Sequence, residues 1–178
     1  MISTIGYGFI KKLEPTENTT PDAIKIQSII NDFGINKVQD TCIEVSSHGI
    51  KQGRVSGVDF NVRLFTNLSR DHLDYHDSIE SYSNTKKDFL LDAEKGNLVI
   101  NIDDSLGKKI FKESKLDESQ KITFGIDNKC TLQAQNLVTQ NKRTKFDLIY
   151  KDQTIEVIAS VVGKYNIYNI LGVIGVLI

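Results

Sequence analysis

Two hydrophobic periods take turns along the first 125 residues, and a different texture follows. Residues 2–13 read as a short strand broken at Gly6 and Gly8 and ending in Lys11-Lys12. A polar loop over residues 15–20 then feeds a helix. Ala23, Ile26, Ile30 and Phe33 recur at helical spacing, with Thr20 as N-cap, Pro21 at the first helical position, Asp22 in the first turn and Gly34 past the end. Residues 38–45 switch to period two with β-branched content, which predicts a buried strand. Residues 62–68 predict a second strand. In the helix that follows, Asp77 can cap and Glu80 can complete a capping box. Its apolar stripe runs Ile79, Tyr82, Phe89 and Leu90, with Ala93 beyond. Residues 98–102 and 121–125 predict two more strands, separated by a short amphipathic helix that Asp104 or Ser105 caps and that reaches Lys115. Three β-like runs come next, 131–138, 145–150 and 154–162, the last two joined by a tight turn at Lys151-Asp152-Gln153. Gly163 opens an apolar helix. The pattern predicts an α/β fold, a mostly parallel sheet flanked by helices, with a small antiparallel β appendage.

Chemistry concentrates at a few ends of these elements. The strand over 38–45 runs out into Ser46-Ser47-His48-Gly49, followed by Gln52-Gly53-Arg54. A strand that delivers a carboxylate and small polar groups to a turn is how open α/β sheets build a site at their carboxyl edge. Glu44 sits inside the apolar run, where an unpaired carboxylate is costly, so it requires either an Arg or Lys partner or a metal. Asn18, Thr19 and Thr20 lie at a helix N-terminus, placed either to cap it or to receive an anion. Residues 69–76, Ser-Arg-Asp-His-Leu-Asp-Tyr-His, put His72, His76 and two aspartates within six positions after a strand. This is either a metal-like cluster or a hydrogen-bonded loop, and its oxygen-rich donors suit Mg²⁺ better than zinc. Lys86 falls on the apolar stripe, four after Tyr82 and three before Phe89, whereas Lys87 points elsewhere as ordinary surface. Lys86 either snorkels to water or is held with its pKa lowered by burial. An unprotonated amine can add carbon dioxide to form a carbamate, a metal-binding carboxylate. Asp103-Asp104 sit at a strand's carboxyl end. Asn166 and Asn169, three apart on one helix face, either cap or read a nucleobase edge.

Composition narrows the class. The 178 residues suit one ordinary domain with a sizeable core. A formal net charge of −1 gives no broad electrostatic case for nucleic acid or an anionic membrane. Cys42 and Cys130 lie far apart in sequence, which argues against a disulfide framework. The longest apolar run, residues 167–178, is broken by Tyr168-Asn169 and is too short to span a bilayer. The chain therefore reads as cytoplasmic. Met1 leads almost straight into a strand and Ile178 stops inside a helical pattern, as in a piece of a longer protein.

Together these stretches resemble the Mur ligases, and within them the MurE branch, which acts on a UDP-N-acetylmuramoyl-dipeptide. The resemblance is carried by residues 15–20 (Pro-Thr-Glu-Asn-Thr-Thr), 44–49 (Glu-Val-Ser-Ser-His-Gly), Gln52 with Arg54, and 66–76 with its Asp-His-Leu-Asp-Tyr-His. Tyr82 with Lys86, residues 101–104 (Asn-Ile-Asp-Asp) and residues 163–169 complete it, in family order across nearly the whole chain. The resemblance implies a central ATPase domain, similar in fold to P-loop NTPases, in a ligase of peptidoglycan biosynthesis and hence of cell-wall biogenesis, shape and division. Such a ligase activates a carboxylate as an acyl phosphate, which an amino acid's amine attacks as phosphate leaves. Asn18, Thr19, Thr20, Ser46, Gln52 and Arg54 resemble the contacts to UDP-MurNAc-L-Ala-D-Glu. Their amides, hydroxyls and Arg fork suit phosphates and carboxylates. Glu44 and His72 match the family's Mg²⁺ ligands, and Lys86 matches its carbamylated lysine. Asn166 and Asn169 match the asparagines that read the adenine of ATP, with Tyr165 where Phe is commoner. The implied partners are the dipeptide nucleotide, ATP and a diamino acid, with no nucleic acid and no membrane insertion.

The family's phosphate-binding loop, of general form Gly-x-x-Gly-Thr-Asn-Gly-Lys-Thr, is expected just upstream of Met1. It does not occur in residues 1–178. The domain that holds the uridine end and the domain that selects the amino acid are likewise expected outside this stretch. Without the loop's lysine and backbone cradle, ATP loses most of its anchoring. The expectation is a partial central domain, inactive by itself. The alternative is a non-catalytic module that binds a muramyl-peptide nucleotide or a protein partner.

Overall fold

The computed structural model of the chain describes residues 1–68, 78–92 and 96–178. They form two compact units, one of Met1–Asp59 with residues 78–86, the other of residues 60–68 with 87–178.

In the first unit, residues 2–14 form a three-stranded antiparallel meander of β1 (Ile2–Ser3), β2 (Gly6–Phe9) and β3 (Lys12–Glu14). The glycines read as strand breaks lie within β2. At φ 131° and 122°, Gly6 and Gly8 hold backbone conformations that other residues rarely adopt, and the pairing runs on through them, Gly6 with Ser3 of β1 and Gly8 with Leu13 of β3. Helix α1 (Ala23–Ile35) buries Ile26, Ile29 and Phe33, while Ala23 is exposed. Its N-cap is Asp22, whose side chain accepts from the Lys25 amide at 3.0 Å, two residues later than the pattern predicts. Thr20 cannot cap because its hydroxyl is engaged elsewhere.

The expected strand over 38–45 is corrected. Only Ile43 makes a bridge, parallel to Ile2, with Ile2 N–H donating to Cys42 O at 2.9 Å and Glu44 N–H to Ile2 O at 2.8 Å. Alternation marks extended backbone, which this segment has. With two-residue β1 as its one pairing partner among the described residues, it forms no ladder, and Glu44 is exposed rather than buried. Glu44 is not itself part of a strand of the six-stranded sheet. The chain continues into a short helix, α2 (Ser47–Lys51), capped by the Ser46 hydroxyl. Helix α3 (Ile79–Leu91) contributes residues 79–86 to this unit and the rest to the other. Ser78 Oγ accepts from Ser81 N–H at 3.1 Å at its start, and the expected cap Asp77 lies outside the described residues. Tyr82 is buried as the stripe predicts, but Ile79 is exposed.

The second unit is built on a six-stranded sheet of β4 (Val62–Phe65), β5 (Asn97–Asn101), β6 (Lys121–Gly125), β7 (Leu132–Gln140), β8 (Arg143–Tyr150) and β9 (Gln153–Ala159). The strands lie side by side in chain order. β4 to β7 run parallel, and β7, β8 and β9 are antiparallel. The predicted antiparallel appendage is thus continuous with the parallel sheet, joined through only the pairs Phe124↔Leu132 and Gly125↔Gln133. Leu98, Val99 and Ile100 are all fully buried, as a central parallel strand covered on both faces requires. Leu98 and Ile100 pack with Leu106 and Ile110 of α4 (Ser105–Glu113). Val99 packs with Phe124, Ile167 and Leu171, the last two from α5 (Lys164–Leu177). Besides the predicted turn at Lys151-Asp152, a second two-residue hairpin turn forms at Asn141-Lys142, both residues at positive φ (51° and 60°).

Asp103, just past β5, anchors this edge. Its carboxylate accepts from the backbone N–H of Ile126 (2.6 Å), Asp127 (2.9 Å) and Asn128 (2.9 Å), from Asn128 Nδ2 (2.6 Å) and from the Tyr168 hydroxyl (2.9 Å). Burial pushes its pKa up, and these hydrogen bonds outweigh that and hold it below the ordinary carboxylate value. Neighbouring Asp104 caps α4 and accepts from Leu68 N–H. Replacing Asp103 with Asn sets an N–H₂ against donors and is expected to cost about 2–3 kcal/mol of stability near neutral pH. The folded pKa is depressed, so the advantage of Asp103 is fully present above its ordinary value of 3.8 and is lost as pH falls through the lower folded value. Urea midpoints of wild type and Asp103→Asn at pH 6 and pH 3 test this. A gap of the same size at both pH values contradicts it.

Candidate functional site

One hydroxyl organises the polar cluster of the first unit. Thr20 is fully buried, and its Oγ1 donates to Glu44 O and accepts from Ser46 N–H, both at 2.9 Å. The loop over residues 15–20 is thereby tied to both sides of Val45. Arg54 Nη1 donates to Thr20 O at 2.6 Å and Arg54 Nε donates to Gln52 Oε1 at 2.8 Å, using two of the five guanidinium donors. Gly49 leaves the space for this packing, since a Cβ there would lie 2.7 Å from Thr20 Cγ2. Thr19, Thr20, Ser46, Gln52 and Arg54, predicted from separate stretches, are thus joined in one hydrogen-bonded cluster, through Thr4 in the case of Thr19. Asn18 is exposed at its edge, its backbone N–H directed to Thr16 Oγ1 at 3.4 Å. The helix-terminus reading of residues 18–20 is corrected, because they precede the cap Asp22 and the Thr20 hydroxyl is held by the 44–46 segment.

Glu44 presents its carboxylate beside this cluster. Its Oε2 accepts from both the backbone N–H and the hydroxyl of Thr4 at 3.0 Å, and the Thr4 hydroxyl lies 3.0 Å from that of Thr19. Of the two partners considered for Glu44, a cation is at hand. Burial lowers the pKa of Lys86, and the charge of Glu44 raises it in part. The Lys86 ammonium also lies 5.4 Å from the Tyr82 ring. Lys86 is therefore half-buried rather than snorkelling freely. Lys87, read as plain surface, instead pairs with Glu113 at 3.1 Å in the second unit. His72, Asp71, Asp74 and His76 lie outside the described residues, and among the described residues no three His, Cys, Asp or Glu side chains converge. The donors present still fit a hard divalent cation. Glu44 offers oxygen, and an uncharged Lys86 amine could become a second carboxylate by carbamylation.

In the second unit, Asn166 and Asn169 flank a shallow, mainly apolar depression of about 320 Å³ with Val161, Ile170, Val173 and Ile174. Neither caps α5. Its N-cap is Gly163, and Asn166 Nδ2 donates to Val162 O at 2.8 Å. Two residues here escaped the sequence reading. Thr4 is an unremarkable turn residue in any pattern. Tyr168 stands in the sequence only as part of a break in an apolar run, and its contact to Asp103 shows it to be a hydrogen-bond donor, its pKa raised first by burial and then by that bond.

The model of the Mur ligase middle domain family matches residues 1–177. The UDP-N-acetylmuramoyl-L-alanyl-D-glutamate–2,6-diaminopimelate ligase of Clostridium botulinum is 42% identical over 165 residues, 93% of this chain and 33% of that protein. Ligase 1 of the same name from Clostridium acetobutylicum is 38% identical, over 97% of this chain and 35% of its own length. A solved structure of a UDP-N-acetylmuramoyl-L-alanyl-D-glutamate–2,6-diaminopimelate ligase has a TM-score of 0.85 at 28% identity, over 96% of this chain and 35% of that one. MurF from Acinetobacter baumannii, at 17% identity and TM-score 0.56 over 65% of this chain and 25% of its own, shares the fold. The chain thus spans about a third of the length of the curated relatives it matches.

The lowered Lys86 pKa carries a pH signature. A lysine whose folded pKa is depressed binds its proton less well in the folded than in the unfolded state. Its unfavourable contribution therefore disappears as pH rises from the folded value toward the ordinary 10.5. Wild-type stability is expected to gain with alkaline pH relative to Lys86→Met. Denaturant midpoints of the two proteins between neutral pH and about pH 10, without bicarbonate, check this. Parallel curves would place Lys86 in solvent.

Proposed function

The chain belongs to the Mur ligase middle-domain family, and from that premise we propose that it is the central, ATP-using part of a cytoplasmic ligase of peptidoglycan synthesis. The reaction proposed joins a diamino acid, of the 2,6-diaminopimelate kind for which the relatives are named, to UDP-MurNAc-L-Ala-D-Glu. The observation that supports this best is the union of Thr20, Ser46 and Arg54 around the Glu44 backbone, with the charge of Glu44 felt by Lys86, whose pKa burial lowers. Among the described residues no helix is long and apolar enough to cross a membrane.

Each residue then has a task. Asn18, Thr19, Thr20, Ser46, Gln52 and Arg54 hold the dipeptide nucleotide, the Arg54 fork taking an anionic group. Thr20 and Ser46 hold their loops in register, so the reacting carboxylate is positioned before chemistry begins. Asn166 and Asn169 take the adenine of ATP in the second unit. Glu44, His72 and the Lys86 carbamate would hold Mg²⁺, whose chemistry there would be neutralisation of phosphate charge. The carbamate arises as the neutral Lys86 amine adds to carbon dioxide, a C–N bond forming and one proton leaving to solvent. Its lowered pKa makes that amine available. Because residues 1–178 lack a Gly-x-x-Gly-Thr-Asn-Gly-Lys-Thr run, we propose that a polypeptide of these residues alone is inactive.

Two experiments test this. Residues 1–178 are expected to release no phosphate from ATP with Mg²⁺ and the dipeptide nucleotide present. Substrate-dependent release that Glu44→Ala abolishes would overturn that reading. In the full-length protein, Lys86→Ala is expected to remove ligation by about 100-fold or more, as loss of a group that organises transition-state charge does. Bicarbonate should not restore it, and a short carboxylic acid such as acetate should restore part. Lys87→Ala should leave the rate within about twofold, since its ammonium pairs with Glu113 rather than with the Glu44 cluster. If Lys87→Ala is as damaging as Lys86→Ala, or Lys86→Ala keeps full activity, the carbamate assignment is wrong. A full-length protein that binds the nucleotide without ligating would be a binding module.

A further inference from the structure

Thr4, in the turn between β1 and β2, stands between two parts of the cluster. Its backbone N–H and its hydroxyl both reach Glu44 Oε2 at 3.0 Å, and its hydroxyl oxygen lies 3.0 Å from Thr19 Oγ1. The second Glu44 oxygen takes no donor among the described residues, so the carboxylate is pinned by one oxygen and offers the other.

Counting protons orders this string. A carboxylate only accepts, and a hydroxyl has one proton to give. The Thr4 proton goes to Glu44, so the Thr19 hydroxyl must donate to Thr4. A ligand group that takes the Thr19 proton withdraws it from Thr4, and one that donates to Thr19 polarises the whole string toward Glu44. In either case, what happens at Thr19 is felt at the carboxylate through one intervening hydroxyl.

We infer that Thr4 is a positioning residue, a hydroxyl relay that couples occupancy of the loop carrying Thr19 to the geometry and donor strength of the Glu44 carboxylate. The inference rests on the reading of Thr19 as a contact to the muramyl-dipeptide nucleotide and of Glu44 as a metal ligand. It adds a coupling between the two that neither assignment contains. Thr4 touches neither reactant and acts through its neighbours. Its hydroxyl sets the coupling, while its backbone N–H keeps Glu44 in place whatever the side chain is.

The test uses the full-length protein with Thr4→Val, which keeps the branched shape and removes the hydroxyl, and with Thr4→Ser, which keeps the hydroxyl. Thr4→Val is expected to raise both the half-activating Mg²⁺ concentration and the KM for the dipeptide nucleotide by about three- to tenfold, as loss of an exposed bond to a charged group does. The KM for ATP and the melting temperature should hold, and Thr4→Ser should restore the wild-type values. The double variant Thr4→Val/Thr19→Val should need no more Mg²⁺ than Thr4→Val alone, since cutting one string twice adds nothing. Without turnover, calorimetric titration of Mn²⁺ into wild type should give affinities that differ with and without the dipeptide nucleotide, and that difference should vanish in Thr4→Val. Additive effects in the double variant, no rescue by Ser, or an unchanged substrate effect on Mn²⁺ affinity in Thr4→Val would each overturn the relay. A working ligase indifferent to Thr4→Val removes this inference alone, whereas a wild type that neither ligates nor binds the nucleotide removes the functional reading beneath it as well.

Discussion

The first unit turns on a hydroxyl that water does not reach. Thr20 Oγ1 uses its proton on Glu44 O and a lone pair on Ser46 N–H, closing a polar junction between two segments 24 and 26 residues apart in the chain. A buried hydroxyl without partners is costly, so the junction forms complete or is strained. Its neighbours follow from it. Gly49 is small because the Thr20 methyl is there, Arg54 reaches inward because Thr20 O accepts from it, and α1 takes its cap from Asp22 because Thr20 is occupied. The residues proposed to contact substrate are therefore also those that hold the two segments together. Preorganisation and local stability come from the same bonds.

Charge is handled differently in the two units. Asp103 is half-buried, yet a ring of donors keeps it ionised below the ordinary value. Lys86, also half-buried, has no comparable set of acceptors, and the field of Glu44 only partly offsets its desolvation. The first arrangement fixes a carboxylate permanently in one state, as a structural anchor requires. The second leaves an amine that holds its proton less firmly than a free lysine does.

Most of the second unit was legible in the sequence because β5 is a continuous buried apolar run, β8 alternates buried and exposed positions, and the strands are bounded by clear turn residues. The run over 98–102 and the three β-runs after residue 131 fall within a few residues of β5, β7, β8 and β9. The Asp104 cap was equally plain, as an acid directly before an amphipathic run. The first unit was legible in its chemistry more than in its backbone. Thr20, Ser46, Arg54 and Glu44 could be picked out, but alternation over 38–45 predicted a ladder where one bridge exists, because period two reports extended chain and not whether a neighbour is present to pair. Thr4 left no trace, since a single threonine in a turn has no period. The resemblance to the family supplied what periodicity could not, namely which polar residues belong to one site. The segment containing His72 lies outside the described residues.

The side-by-side, in-order arrangement of β4 to β9 also has a consequence for how the chain is made. Each strand pairs with the one synthesised just before it, so the sheet can grow by accretion as the chain emerges from the ribosome, the longest connection being the one through α3 between β4 and β5. Its second face cannot be covered in the same order. Val99, Phe124 and Phe146 find Ile167 and Leu171 only when α5, which follows β9, arrives. Until then the nascent sheet carries a bare apolar side, the state in which chains of this kind are most open to chaperones and to one another.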